Sequence, residues 1–146
     1  MANPECSTAD LTARAESYCA MAEHCPMELQ VKLGQWGADS LQTEAVIAHL
    51  CAEGFIDEVR YCTAFVHDKL LYQGWGRVKM RAALQAKRLP SEAIDRALSE
   101  IDEAEYDRVL QRVVAKKRNA QPEQVVRFCL QRGFTLSEIR HFVSWL

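Results

Sequence analysis

Three stretches of this chain carry the same short pattern. They are Thr43-Glu44-Ala45-Val46 with Leu50, Ser91-Glu92-Ala93-Ile94 with Leu98, and Ser137-Glu138-Ile139 with Val143, the last one residue shorter. A hydroxyl followed by Glu starts a helix, because the hydroxyl accepts from an orphan backbone N–H of the first turn. Upstream of each lies another helix carrying a leucine: Leu33, Leu84 and Leu130. The aliphatic anchors Val46, Ile94 and Ile139 are 48 and 45 residues apart, a period for a three-helix unit stacked in tandem. One such unit has too little core to stand alone, so neighbours must bury one another. The expected fold is all-α, a tandem array of three three-helix repeats, elongated or curved. Its expected divisions are a flexible N-terminal tail over 1–8 and repeats over 9–56, 57–101 and 102–146.

Apolar residues recur at helical spacing through most of the chain. In 57–72 they are Val59, Cys62, Phe65, Val66 and Leu70, and in 102–118 they are Tyr106, Val109, Leu110, Val113 and Val114. Each set is a stripe on one helix face, and alternating β-branched runs with hairpin turns are absent. The breakers mark short loops: Gly34 and Gly37 around Trp36, Gly54 before Phe55-Ile56-Asp57, and Gly74-Trp75-Gly76. Pro90 and Pro122 suit first helical turns, and after Gly133 the run Thr135-Leu136-Ser137-Glu138 reads as a capping box. Helices are expected over 9–24, 27–35, 42–53, 57–72, 76–87, 90–100, 102–119, 122–132 and 136–145.

The 146 residues, 49% hydrophobic and 26% charged, belong to a folded chain rather than a disordered one. No apolar run approaches the ~20 residues of a membrane-spanning helix. The N-terminus has neither the basic start nor the apolar stretch of a signal peptide, so the expected location is the cytoplasm. Six cysteines, at 6, 19, 25, 51, 62 and 129, form neither Cys-x-x-Cys nor a zinc-finger spacing. They are expected to stay reduced there, with Cys51, Cys62 and Cys129 acting as small core hydrophobes.

No catalytic constellation emerges. The four histidines, 24, 49, 67 and 141, are scattered without ligand spacing, and neither a nucleophile elbow nor a P-loop is present. Gly74-Trp75-Gly76-Arg77-Val78-Lys79 lacks the third glycine, the Lys-Ser/Thr ending and the preceding strand of a phosphate loop. Its glycines let the chain turn between helices while Trp75 packs. The expectation is a protein that is not an enzyme, holds no metal or cofactor, and works by binding a partner.

Charge is distributed in blocks. Residues 1–59 hold two basic and ten acidic side chains, and residues 60–146 hold sixteen and ten. Arg77, Lys79, Arg81, Lys87 and Arg88 occur with no acid among them; 92–107 is acidic; and Arg108, Arg112, Lys116, Lys117, Arg118, Arg127 and Arg132 are interrupted only by Glu123. Helical geometry puts Arg77, Arg81 and Arg88 on one face, and Arg108, Arg112 and Lys116 in a second row at steps of four. Both rows are also what a solvated helix face looks like, but a purely solubilising face mixes signs. The candidate partner-binding residues are therefore Arg77, Lys79, Arg81, Lys87 and Arg88, with Arg108, Arg112, Lys116 and Lys117 as a second set. Reversing Arg77 and Arg81 together is expected to weaken binding without unfolding. Arg60 is open between a binding role and a structural pairing with Asp57.

The middle of the chain resembles the RecX family of bacterial regulators of the RecA recombinase. The likeness is carried by Gly54-Phe55-Ile56-Asp57, Arg60-Tyr61-Cys62 with Phe65-Val66, then Gly74-Trp75-Gly76, Lys79-Met80, Leu84 and Lys87, and finally Leu89-Pro90, Ile94 and Ala97-Leu98. It covers 54–98, with the flanks matching by period and helix pattern. The family often has glycine after the lysine near 87, where this chain has Arg88, and the first repeat here is unusually acidic. The resemblance implies a tandem helical-repeat protein that binds the RecA filament on single-stranded DNA and modulates, most often inhibits, its ATPase, strand-exchange and co-protease activities. Contacts to single-stranded DNA itself and a monomeric state are part of that expectation. The residues alone leave two rivals: a helical-repeat adaptor for another protein, and a helix-turn-helix regulator that reads a duplex site as a dimer.

Overall fold

The computed structural model describes residues 7–143, and these contain nine α-helices and no strand. They are α1 (Thr8–Met21), α2 (Pro26–Gln35), α3 (Ser40–Ala52), α4 (Glu58–Gln73), α5 (Arg77–Ala86), α6 (Ser91–Ser99), α7 (Glu103–Ala115), α8 (Pro122–Gln131) and α9 (Leu136–Phe142). The chain divides into two compact units, one ending at Tyr61 and one beginning at Cys62, so the division falls inside α4. The tail expected over 1–8, with Cys6, lies mostly outside the described residues, as does the expected last helix beyond 143. Ser7 and Thr8 are not tail. Ser7 caps α1 by accepting from the Asp10 N–H at 3.1 Å.

Two helices stop sooner than their apolar pattern suggests. Pro26 disfavours helical geometry at Cys25, so α1 ends at Met21 and Cys25 becomes the N-cap of α2. Helix α7 ends at Ala115 rather than 119. Lys116-Lys117-Arg118-Asn119 has nothing apolar to bury, and the chain there closes shorter bonds, Lys117 N–H to Val114 O at 3.0 Å and Ala120 N–H to Lys117 O at 2.9 Å.

The repetition is sharpest at helix ends. Helices α2, α5 and α8 each bury a pair one turn apart, Leu29/Leu33, Met80/Leu84 and Val125/Cys129. Five residues after the second of each pair, a backbone N–H returns to its carbonyl: Ala38 to Leu33 at 2.9 Å, Leu89 to Leu84 at 3.3 Å, Phe134 to Cys129 at 3.2 Å. This is the Schellman closure, which requires a left-handed residue just before the returning N–H. That residue is Gly37 (φ 90°), Arg88 (φ 59°) and Gly133 (φ 98°). The cap-based register is thus 51 and 45 residues rather than 48 and 45. Val46 lies one turn further from its N-cap Asp39 than Ile94 and Ile139 lie from Pro90 and Thr135. Likewise α3 starts at Ser40, and Thr43 sits inside it, donating back to the Asp39 carbonyl at 2.8 Å.

Two expected core positions are corrected. Leu130 is 47% exposed, because the inward position on α8 is Cys129. Cys51 is exposed, one position past the buried Leu50, whereas Cys62 and Cys129 are fully buried. Burial pushes the Cys129 thiol up from its ordinary value.

In the first unit, Leu11, Ala15, Leu29, Leu33, Val46, Leu50 and Ile56 form one core. Arg60 closes it from outside. Its guanidinium donates to Glu23 at 2.6 Å and to the carbonyls of Gly54 and Phe55 at 3.0 and 3.3 Å. Asp57 instead accepts from the Arg60 backbone N–H at 3.0 Å, capping α4. Arg60 is therefore structural, through Glu23 rather than Asp57.

In the second unit, α5 begins on the backbone of the α8–α9 turn. Gly76 N–H donates to Arg132 O at 2.7 Å and Val78 N–H to Gly133 O at 3.1 Å. These bonds satisfy donors that a helix start leaves open. They also bring the chains so close that a Cβ on Gly76 would lie 2.5 Å from the Gly133 carbonyl carbon. Gly76→Ala is expected to lower stability by about 1–3 kcal/mol, since backbone has to move. Arg88→Gly is expected to raise it by about 0.5–1 kcal/mol, because the left-handed strain of a non-glycine exceeds the added unfolded-state entropy. Urea unfolding of both variants against the parent checks the two signs.

Candidate partner-binding site

The two basic rows have opposite fates. Arg77 opens α5 and is held from three directions. Its guanidinium donates to Glu103 at 2.5 Å, lies 3.7 Å from Glu138, and covers the Tyr106 ring at 4.0 Å. Its backbone N–H donates to the Tyr106 hydroxyl at 3.1 Å. Glu138 belongs to the α9 capping box, accepting from the Thr135 N–H at 2.8 Å. Arg77 thus ties α5, α7 and α9 together. Arg81 reaches Asp95 on α6 at 2.6 Å. Both partners of that pair are well exposed, so it contributes about 0–1 kcal/mol.

The remaining residues of the first set are dispersed. Lys79 places its ammonium 4.4 Å over the Trp75 ring, which Phe65 meets edge-on with centroids 6.2 Å apart. Lys87 caps the C-terminus of α5, where a cation complements the helix dipole. Arg88 does not share the face of Arg77 and Arg81, because α5 stops at Ala86 and Arg88 turns left-handed beyond it. It is exposed.

The second row is intact. Arg108 and Arg112 are exposed on α7 and Lys116 is its exposed C-cap. None of the three has an ion pair among the described residues. The acids of the same helix are Glu103 and Glu105 in its first turn and Asp107 just after it, so α7 runs from acidic to basic in the sense of its own dipole. Lys117 sits 5.0 Å over the Phe128 ring, and Arg132 covers that ring at 5.1 Å while donating to Gln73 O at 2.6 Å. Lys117, Gln124, Arg127 and Phe128 border an open cavity of about 320 Å³.

The sequence pattern overlooked the acids that hold Arg77 and Arg81, because they lie 26 and 14 residues away. It also overlooked Tyr72, which is 75% exposed at the end of α4. In the first unit the cations are all engaged: Arg14 lies 4.3 Å over Trp36, Lys32 lies 5.4 Å over Tyr18, and Arg60 is paired. Among the described residues, no cluster of three or more metal-ligating side chains occurs, and no helix is long and apolar enough to cross a membrane.

Two outcomes follow. Arg77→Glu is expected to destabilise the protein by about 2–4 kcal/mol, since it sets like charges against Glu103 and Glu138 and exposes the Tyr106 ring. The double reversal of Arg77 and Arg81 therefore unfolds part of the protein before it reports on binding, and the unfolding midpoint measures this. Burial raises the Tyr106 phenol above its ordinary value. The folded state holds that proton while the unfolded chain releases it near pH 10, so stability falls as pH rises beyond about 10. Tyr106→Phe should make this alkaline limb shallower, the rest coming from Tyr61, whose phenol burial also raises, as read from urea midpoints between pH 8 and pH 11.

Comparison with known proteins places this geometry. The profile of the RecX second three-helix domain matches residues 57–98. The chain is 31% identical over 137 residues to Regulatory protein RecX of Leptothrix cholodnii, covering 89% of this chain and 85% of that protein. It is 34% identical over 131 residues to Regulatory protein RecX of Pseudomonas entomophila, covering 86% and 84%. A crystal structure of RecX from Lactobacillus salivarius superposes with a TM-score of 0.81 over 95% of this chain and 96% of that one. At 15% identity this last likeness concerns the fold alone.

Proposed function

Because this chain belongs to the RecX family of regulatory proteins, we propose that it binds the RecA filament on single-stranded DNA and inhibits it. The inhibited activities are ATP hydrolysis, strand exchange and the co-protease role in the damage response. The protein does so as a cytoplasmic monomer built of three repeats, 9–56, 57–101 and 102–146, laid along the groove of the filament.

The observation that carries the reading to particular residues is the unpaired row Arg108, Arg112 and Lys116 on α7. Three exposed cations one turn apart, with no ion pair among the described residues, meet a polyanion or an acidic face with little competing interaction. Lys117, Lys79, Lys87 and Arg88 extend the contact surface. Arg88 keeps a strained backbone where glycine would relax it, and a binding role accounts for retaining the charge there. Arg77 and Arg81 act beneath this surface, by holding α5 to α7, α9 and α6. The acidic first unit, its cations engaged internally, faces solvent or a basic part of the partner.

The test is the ATPase rate of RecA on single-stranded DNA, titrated with this protein at two salt concentrations. Inhibition well below one-to-one stoichiometry is expected, weaker at the higher salt. Reversal of Arg108 and Arg112 to Glu should raise the concentration needed while leaving the urea midpoint within about 0.5 kcal/mol of the parent. No inhibition at either salt by folded protein would overturn the reading and return the chain to the wider class of helical-repeat adaptors.

A further inference from the structure

Tyr72 is the one exposed Phe, Tyr or Trp side chain among the described residues, 75% exposed at the last turn of α4. Its chain neighbours Leu70 and Leu71 turn inward to different degrees, but among the described residues the ring itself packs on no other ring. It borders a small recess of about 80 Å³ that Gly74, Val109, Val113, Arg112 and Lys116 also line. An exposed ring, two buried valines and two cations one helical turn apart that make no ion pair among the described residues therefore share one spot. The dipole of α7 accounts for cations near its C-terminus. It does not account for a ring left in water beside them.

The end of a helix is ordinarily a poor place for an anion, because its last carbonyls point outward. Here that field is blunted. The Gln73 carbonyl accepts from the Arg132 guanidinium at 2.6 Å, and the Lys69 carbonyl accepts from the Trp75 N–H at 3.0 Å. Asp68, one turn before Tyr72, lies 4.0 Å from the Lys69 ammonium. Arg108 continues the cationic track one turn further along α7.

We propose that Tyr72, Arg112 and Lys116 bind single-stranded nucleic acid directly, with a base stacked on the Tyr72 ring and phosphates on the Arg112 guanidinium and the Lys116 ammonium. Aromatic faces beside cations are the sequence-tolerant device for unpaired strands, since every base has a π-face. An acidic protein face also accepts a Tyr beside two cations, and direct binding of an oligonucleotide separates the two. In a duplex the bases are already stacked on each other and unavailable to the ring. This deepens the reading above by naming which component of the filament the α7 row meets. It is tested without recombinase, so the two can fail separately.

The experiment is fluorescence anisotropy of a labelled oligo-dT of roughly 16 nucleotides, long enough for one such site, titrated with the full chain. The same strand annealed to oligo-dA is the comparison. Binding is expected to favour the single strand. Tyr72→Ala should weaken it by roughly 5- to 150-fold, the range of one lost stack, while Tyr72→Phe stays near the parent. Replacing Arg112 and Lys116 by Gln should lower the dependence of log affinity on log salt by about 1.4, two phosphates' worth for a single strand. All three side chains are exposed, so the variants are expected to fold, and circular dichroism is the check. No binding of oligo-dT at low salt, equal binding of the duplex, or an unchanged affinity for Tyr72→Ala would each overturn the proposal and assign the row to a protein partner.

Discussion

The N-terminus of α5 rests on bare backbone. Gly76 and Val78 donate to the carbonyls of Arg132 and Gly133, and a Cβ at either glycine would collide with the opposite chain. Much of the second unit is organised by that approach. It seats Arg77 over the Tyr106 ring and within reach of Glu103 and Glu138. It sets Phe134 against Tyr106, with ring centroids 5.4 Å apart, and Phe134 is itself the residue whose N–H closes α8. Helix start, helix end and core aromatic pair are one structure, because each uses a backbone group or ring that another has positioned.

This arrangement decides which charges remain for a partner. Acids on α6, α7 and α9 are drawn onto the arginines of α5, so the first basic block is partly neutralised inside the unit. The cations of the C-terminal half of α7, Arg112 and Lys116, make no ion pair among the described residues and stay in solvent. A like-signed run in sequence marks an available surface only where tertiary neighbours do not answer it. The same fold that consumes Arg77 also leaves Tyr72 in water beside Arg112 and Lys116.

The helices were readable because burial imposes a 3.6-residue period, and the apolar stripes of α6, α7 and α8 are long enough to display it. The Thr135–Glu138 capping box was readable because it is a contact between residues three apart. The errors have the same kind of cause. Leu130 and Cys129 are adjacent and both apolar, so only the packing tells which one points inward. Arg88 sits where a helical wheel would continue, yet the chain has already turned left-handed. The three-helix period survived, while its register shifted by one turn at Val46, because aliphatic anchors vary along a helix and the closing turns do not.

By itself the sequence determined the helices, their threefold recurrence and the family, since these depend on periodicity and on contacts close along the chain. It also determined that cations gather after residue 76. The tertiary structure decided which of them are available. Arg77 meets an acid 26 residues away and Arg81 one 14 residues away. Such pairings depend on how helices pack in space, and no spacing along a single helix encodes them.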